Sequence, residues 1–414
     1  MTAHAAVPHR PAPGRIRPFA KAQVKTPVWL KLILGRELSP SRAEYDAVVD
    51  ALWDGDAEMD LLIDWMYEIG PQKARPLFQQ AINQGVASFP DAPEPLRRFF
   101  KSVDNPPAWL DRTLVEEGVR FIHGTGLTST HVLRDLALMG GYLLSGFNQT
   151  LVKTGALNKG TAQRIAETGK WWMDCTKIGG MDRFGDGFKT TLHVRMVHAL
   201  VRRNLAHRED WDAQQWGLPV NQIDMVATYL GFSVVMLGGL RKLGIPVTPR
   251  ESKAVMQLWS YACWVMGVDE KWLRLGEREG LVLLNHTFMT QSKPDATSQE
   301  MAQALAREPL ERHFERFEGV QRRFFYHQHL SVSQFFLGSQ KMAQLGLPDD
   351  VLPWYPWLTL GPRFALYSAR HWLPGQRERQ QKQGRAKQEW ALATLFGEKE
   401  HKVIQPGANH PAHT

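Results

Sequence analysis

Along most of the chain the apolar positions recur at helical intervals, and the residues between the runs are the punctuation of helices. "SPSRAEYDAVVDALWDG", from Ser39 to Gly55, offers a serine cap, early acids and a closing glycine. "GPQKARPLFQQAINQG", from Gly70 to Gly85, begins with proline in its first turn and ends on glycine, and "NPPAWLDRTLVEEGVRFIHGTG", from Asn105 to Gly126, repeats that design. Further helices are expected near 129–146, 160–176, 188–205, 221–242, 248–267, 269–290, 296–317, 320–344, 363–371 and 378–395. Alternating strand patterns with hairpin turns are nearly missing. The pattern therefore predicts an all-α fold.

The longest apolar run, "MVATYLGFSVVMLGGL" from Met225 to Leu240, lies between Asp224 and Arg241 and contains Thr228 and Ser233. It is short for a membrane span and reads as a buried core helix. The opening "MTAHAAVPHRPAPGRIRPFAKAQVK" has no apolar periodicity, so residues 1–40 are expected to form a flexible basic arm. One helical domain is expected over 41–375, followed over 376–414 by a basic helix and a frayed tail. "VWLKLILG" beside the basic arm could touch a membrane surface, although a docked arm is the preferred reading.

Composition narrows this picture. The chain has 414 residues, of which 43% are hydrophobic and 22% charged, an ordinary globular balance. Its net charge of +8 is concentrated at the two ends, with seven Lys/Arg against Glu37 alone in residues 1–40, so the body is close to neutral. That distribution argues against a nucleic-acid groove. Cys175 and Cys263 are the only cysteines, which excludes a disulfide framework and fits a reducing compartment. No export signal is visible, so a cytoplasmic location is expected, with peripheral membrane contact through the arm as the variant.

Candidate chemistry centres on "HVRMVHALVRR", residues 193 to 203. On a helix, Arg195 and Arg202 share one arc with His198, and Val194 and Val201 fall within it. An imidazole backed by valines and accompanied by two permanent cations suits a planar, apolar ligand with an anionic edge, as haem is. A packed core histidine with ordinary arginine ion pairs is the alternative that spacing leaves open. Upstream, Arg164 and Thr168 lie four residues apart with Glu167 in the same arc, able to donate hydrogen bonds to dioxygen or to make plain surface contacts. His327 and His329 point apart on a helix and would not share a metal. The glycine-rich "GGMDRFGDGF", Gly179 to Phe188, reads as a turn that admits close approach of a ligand or helix.

The order of segments resembles a known family. "PPAWLD", "TGALNKGTAQRIAET", "GDGFKTTLHVRMVHALVRR", "WGLPVNQIDMVATYLGFS" and "ESKAVMQLWSYACWVMG", spread over 106–267, resemble the MpaB-type oxygenases, which include the latex clearing proteins. The resemblance implies a globin-like helical core enlarged by extra helices and holding haem b. It implies His198 as the iron ligand, Arg164 and Thr168 as polar residues of the opposite pocket, and Arg195 and Arg202 as partners of the propionates or of local structure. Asn221 and Asp224 fall where a role in supporting the ligand's neighbours or in capping a helix is implied. The implied activity is oxygenation of an apolar, unsaturated or prenylated substrate by dioxygen, cleaving a C=C bond into two carbonyl ends.

The sequence also departs from that family. Where the rubber oxygenases carry a glutamate thought to act as base, Asn148 and Gln149 stand here, and Glu167 replaces a lysine. Glu167 is then the only acid of the distal arc and the candidate base. A carboxylate is a poor sixth iron ligand, so the position opposite His198 is expected to be open or water-bound. Two other classes stay open: a haem protein that senses or stores a gas, and a haem-free helical interaction protein.

Overall fold

The computed structural model describes residues 10–155, 161–289, 291–370 and 373–396. Among them the regular elements are all helical, with no strand. Capping follows the sequence signals: Ser41 and Glu44 form a reciprocal capping box, as do Thr248 and Glu251 ahead of the helix Pro249–Val265. Asn221 accepts the Asp224 amide and so caps the helix that follows, as the motif implied.

That helix, Gln222–Lys242, is long and apolar enough to cross a membrane by composition, yet two-thirds (67%) of its most apolar window is buried inside the protein. It contains a wider π turn at Gly231–Val235. The helix it crosses, running over 127–141, contains another at Val132–Leu138. They meet where Gly239 faces Val132 and Gly231 faces Ala137. Helix Arg112–Thr125 lies along Pro249–Val265, with Gly118 against the Ala254 carbonyl, and the last helix, Gln376–Phe396, lies along Arg112–Thr125. Gly384 of that last helix meets the His123 carbonyl so closely that no side chain would fit.

The apolar interior falls into a large cluster and a smaller one around Met139, Tyr142, Met301 and Leu330, joined through Leu136 and Phe336. The candidate site lies at this seam.

Several expectations need correction. Residues 10–40 are not a loose arm: they carry the short helices Phe19–Ala22 and Val28–Leu34, and Arg15 is buried. Its guanidinium pairs with Asp224 at 2.5 Å and reaches Gln291 and the Trp216 carbonyl. A single buried anchor leaves no periodic trace, which is why composition hid it. The helix expected at 363–371 spans Trp354–Ala369, its first half concealed by Pro356 and Pro362. The 129–146 helix stops at 141 and resumes as Ser145–Lys153. Residues 397–414, including the tail expected to fray, lie outside the described residues.

Candidate functional site

Two antiparallel helices build the site. Thr161–Cys175 presents Arg164, Thr168, Trp171 and Cys175 along one stripe, and Asp186–Ala206 presents Gly187, Thr191, Val194 and His198 along another. At one end the stripes are locked together. Trp171 Nε1 donates to Thr191 Oγ1 at 2.9 Å, and Cys175 Sγ lies 3.9 Å from the Gly187 carbonyl oxygen. A Cβ on Gly187 would come within 2.6 Å of the Cys175 Cα, so the glycine permits the approach. The glycine-rich turn before it thus serves a neighbouring helix.

The same register places Thr168 across from Val194 and Arg164 across from His198. Here the stripes change character. Trp171, Cys175, Gly187 and Thr191 are buried, whereas Arg164, Thr168, Val194 and His198 all retain accessible surface. Val197 and Val201, beside His198, are also partly accessible. We read this loss of cover beyond Trp171 as an opening between the two helices, with valines on its apolar side. Trp171 forms its floor, packing on Phe232 at 5.3 Å and Trp259 at 5.7 Å between ring centroids.

His198 sits in the opening as a neutral base. Burial holds its pKa down at about 4, with the nearby Arg202 charge adding to the effect and Asp56 opposing it. Its Nδ1 is buried without a hydrogen-bond partner. A neutral imidazole at physiological pH has a lone pair free for a metal. Neither cysteine competes for that role, because burial pushes the Cys175 thiol up to about 12 and the Cys263 thiol well above its ordinary value. His193, also held down at about 4 by burial, stands roughly 140° around the helix and turns its ring edge to Phe78.

Arg195 and Arg202 take the scaffold alternative. Both fall on one side of His198, opposite to Val194 and Val201, and both are buried. Arg195 grips Asp56 through Nε at 2.6 Å and Nη2 at 2.8 Å, and also donates to the Val265 carbonyl. Arg202 grips Asp60 at 2.8 Å and donates to the Val220 carbonyl. Asp56 caps the helix Ala57–Ile69, so both arginines bind the His198 helix to that neighbour. The expectation that they pair with propionates gives way to this geometry.

Across the opening, Arg164 donates from Nη2 to the Tyr142 hydroxyl at 2.7 Å, while its Nη1 is buried with no partner. Tyr142 is fully buried, and its backbone carbonyl accepts from the amide of Asn148 at 2.9 Å. Asn148 is buried too, with Oδ1 unpartnered, and its amide also reaches Ser298. Tyr142 therefore ties Arg164 to Asn148. Sequence reasoning missed Tyr142, since a lone tyrosine after "LMGG" gives no spacing signal. Thr168 is exposed in the opening. Glu167 lies on its flank and accepts from Gln163 at 3.1 Å, one turn back on the same helix.

A surface cavity of about 300 Å³ between Arg112, Ile178, Asp182 and Tyr261 contains none of these residues. Among the described residues no group of three or more His, Cys, Asp or Glu side chains is placed to hold a bare metal ion.

Comparison with known proteins places the chain in a family and supports its fold. Residues 129–365 match the profile of the family described as ER-bound oxygenase mpaB/B'/Rubber oxygenase, catalytic domain. A rubber oxygenase of Streptomyces sp. (strain K30) is 24% identical over 234 residues, 54% of this chain. The match spans 56% of that relative, so this chain aligns with little more than half of its length. The solved structure of latex clearing protein LCP in the closed state superposes with a TM-score of 0.63 at 18% identity, covering 86% of this chain and 95% of that one, which speaks to the fold. Both the Arg164 and His198 helices lie inside the matched segment, and the chain belongs to the mpaB/rubber oxygenase catalytic-domain family.

Proposed function

We propose that the chain is a haem b-dependent oxygenase that uses dioxygen to cleave a C=C bond of an apolar, unsaturated or prenylated substrate, each alkene carbon leaving as a carbonyl with one oxygen atom. The observation that carries this reading is His198: a neutral imidazole on a valine-lined opening, facing an arginine with an unpartnered N–H group. Both helices of the opening fall within the family match, and the curated relative is called a rubber oxygenase.

The residues present fit the cofactor. A neutral imidazole beside apolar valines suits an iron that would arrive in a porphyrin, already held by that ring. Haem b, when bound, supplies the redox chemistry through which dioxygen reacts with an alkene.

The chain would contribute the rest. His198 would hold the cofactor from one side. Val194, Val197 and Val201 would exclude water and offer apolar surface to ring and substrate. Arg164, oriented by Tyr142, would direct its free N–H at charge developing on oxygen, and Thr168 would add a hydroxyl donor. Glu167 would accept a proton if the reaction releases one, since Asn148 has no basic group.

Oxygen consumption on addition of a short polyisoprenoid tests this, with carbonyl-ended products as the expected outcome and none from His198→Ala. The buried Asn148 in the acid's place favours a second reading, a haem protein that binds a gas without turnover. A haem-loaded protein that consumes no oxygen with any prenyl substrate would select it.

A further inference from the structure

The helix Trp354–Ala369 is built inside out. Its polar residues face the protein: Arg363 is buried and donates to the Leu243 carbonyl at 2.7 Å and to Thr359 Oγ1 at 2.8 Å, Tyr367 is buried, and Arg370 just beyond pairs with Glu251 at 2.9 Å. Its outward face is apolar throughout: Trp357 is 61% exposed, Leu358 69% and Phe364 55%, with Gly361 and Ala365 between them. A helix at a water interface places these classes the other way round. Exposed Leu352 precedes it and exposed Leu373 follows.

The apolar strip continues onto the preceding helix, Glu318–Gln344. Phe324 packs its ring 6.0 Å from Trp354, Val320 is exposed one turn before it, and exposed Phe317 stands at the N-cap of the same helix. A contiguous apolar surface of this kind marks an interaction site.

Charge decides what covers it. The strip is bounded by Asp349 and Asp350 before Leu352 and by Arg377 and Arg379 after Leu373. Beside its middle stands the ammonium of Lys242, which donates to the Phe335 carbonyl at 3.1 Å. Lys242 precedes Leu243, whose carbonyl Arg363 binds, and Lys341 is near enough that its charge adds to burial in lowering the Lys242 pKa. Among the described residues neither lysine has a carboxylate partner. Lys242 lies 5.0 Å from the Phe335 ring centroid. A second copy would set the same cations against each other, whereas anionic lipid headgroups would meet them with opposite charge. Residues 397–414 offer only Val403 and Ile404 as large apolar side chains, too little to cover the strip.

We infer that the outward face of Trp354–Ala369, with Phe324 and its neighbours, docks this protein onto the interface of an anionic lipid bilayer, Trp357 and Phe364 entering the headgroup boundary and Lys242 and Lys341 meeting the phosphates. This is independent of the oxygenase reading, because it needs neither cofactor nor turnover.

Flotation of the purified full chain with vesicles tests it, using phosphatidylcholine alone and phosphatidylcholine with an equal part of phosphatidylglycerol. The chain should float with the anionic vesicles. Trp357→Ser with Phe364→Ser should lower that partitioning by at least about tenfold while leaving far-UV circular dichroism unchanged. Lys242→Gln with Lys341→Gln should lower it roughly tenfold, on anionic vesicles alone. Binding to neither vesicle overturns the assignment. So does binding lost in Trp29→Ser with Leu32→Ser but kept in the Trp357 and Phe364 variant, which would move docking to Val28–Leu34. A dimer in sedimentation velocity that the Trp357 and Phe364 variant dissociates would give the face to a second copy instead.

Discussion

The helix Asp186–Ala206 has two faces that use the same residue types for opposite ends. On one, Arg195 and Arg202 are buried and answered by Asp56 and Asp60. On the other, His198 meets the opening with Nδ1 unpartnered, and across from it Arg164 keeps one nitrogen unpartnered. A buried polar group without a partner costs stability, so the answered arginines act as scaffold, while unpartnered nitrogens on two facing helices leave a ligand something to satisfy. Charge alone would have ranked the three arginines equally. Their partners separate them.

The comparison can be broken from the scaffold side first. Arg195→Ala leaves Asp56 buried and uncompensated, and is expected to destabilise the fold by about 3–5 kcal/mol in denaturant unfolding. If Arg195 paired with a cofactor instead, the loss would be one of cofactor affinity with stability little changed.

From the open side, Arg164→Ala removes a donor and leaves the buried Tyr142 hydroxyl without that partner. It is expected to lower kcat/KM roughly 10²-fold, within the range for a lost donor to developing charge, while cofactor content stays at wild-type level. Tyr142→Phe should produce a smaller loss in the same direction, because it frees Arg164 from its orientation. An unchanged kcat/KM in Arg164→Ala would remove the residue from the site.

The smallest effect concerns pH. His198 titrates at about 4 in the folded chain against an ordinary value near 6.5, so between these limits the unfolded chain binds more protons. The contribution of a neutral His198 is complete above about pH 6.5 and is lost as pH falls toward 4. His193 adds in the same window. The melting temperature of the apoprotein should therefore fall with pH there, and less steeply in His198→Leu. Equal slopes for the two proteins would place the titrating groups elsewhere.

Much of this was legible in the sequence because helix punctuation is local. Caps such as Ser41 and Asn221, and the spacing of Arg164 with Thr168, depend on neighbours within one turn. His198 was legible as a candidate for the same reason. What each arginine pairs with was not, since Asp56 and Asp60 lie more than 130 residues away in the chain. Arg15 was hidden likewise, anchoring a proline-rich segment through Asp224. The first half of Trp354–Ala369 escaped for a different reason: its prolines break the helical signal, and its apolar residues face outward, against the pattern by which periodicity locates a core.

The central claim is that His198 holds the iron of a haem whose opposite face stays free of protein ligands. Absorption spectroscopy of the purified, haem-reconstituted protein and of His198→Ala, before and after reduction, tests it most directly. An intense Soret band with the features of five-coordinate or water-ligated iron is expected, and its loss in His198→Ala. A wild-type protein that takes up no haem, or an unchanged spectrum in His198→Ala, would contradict it.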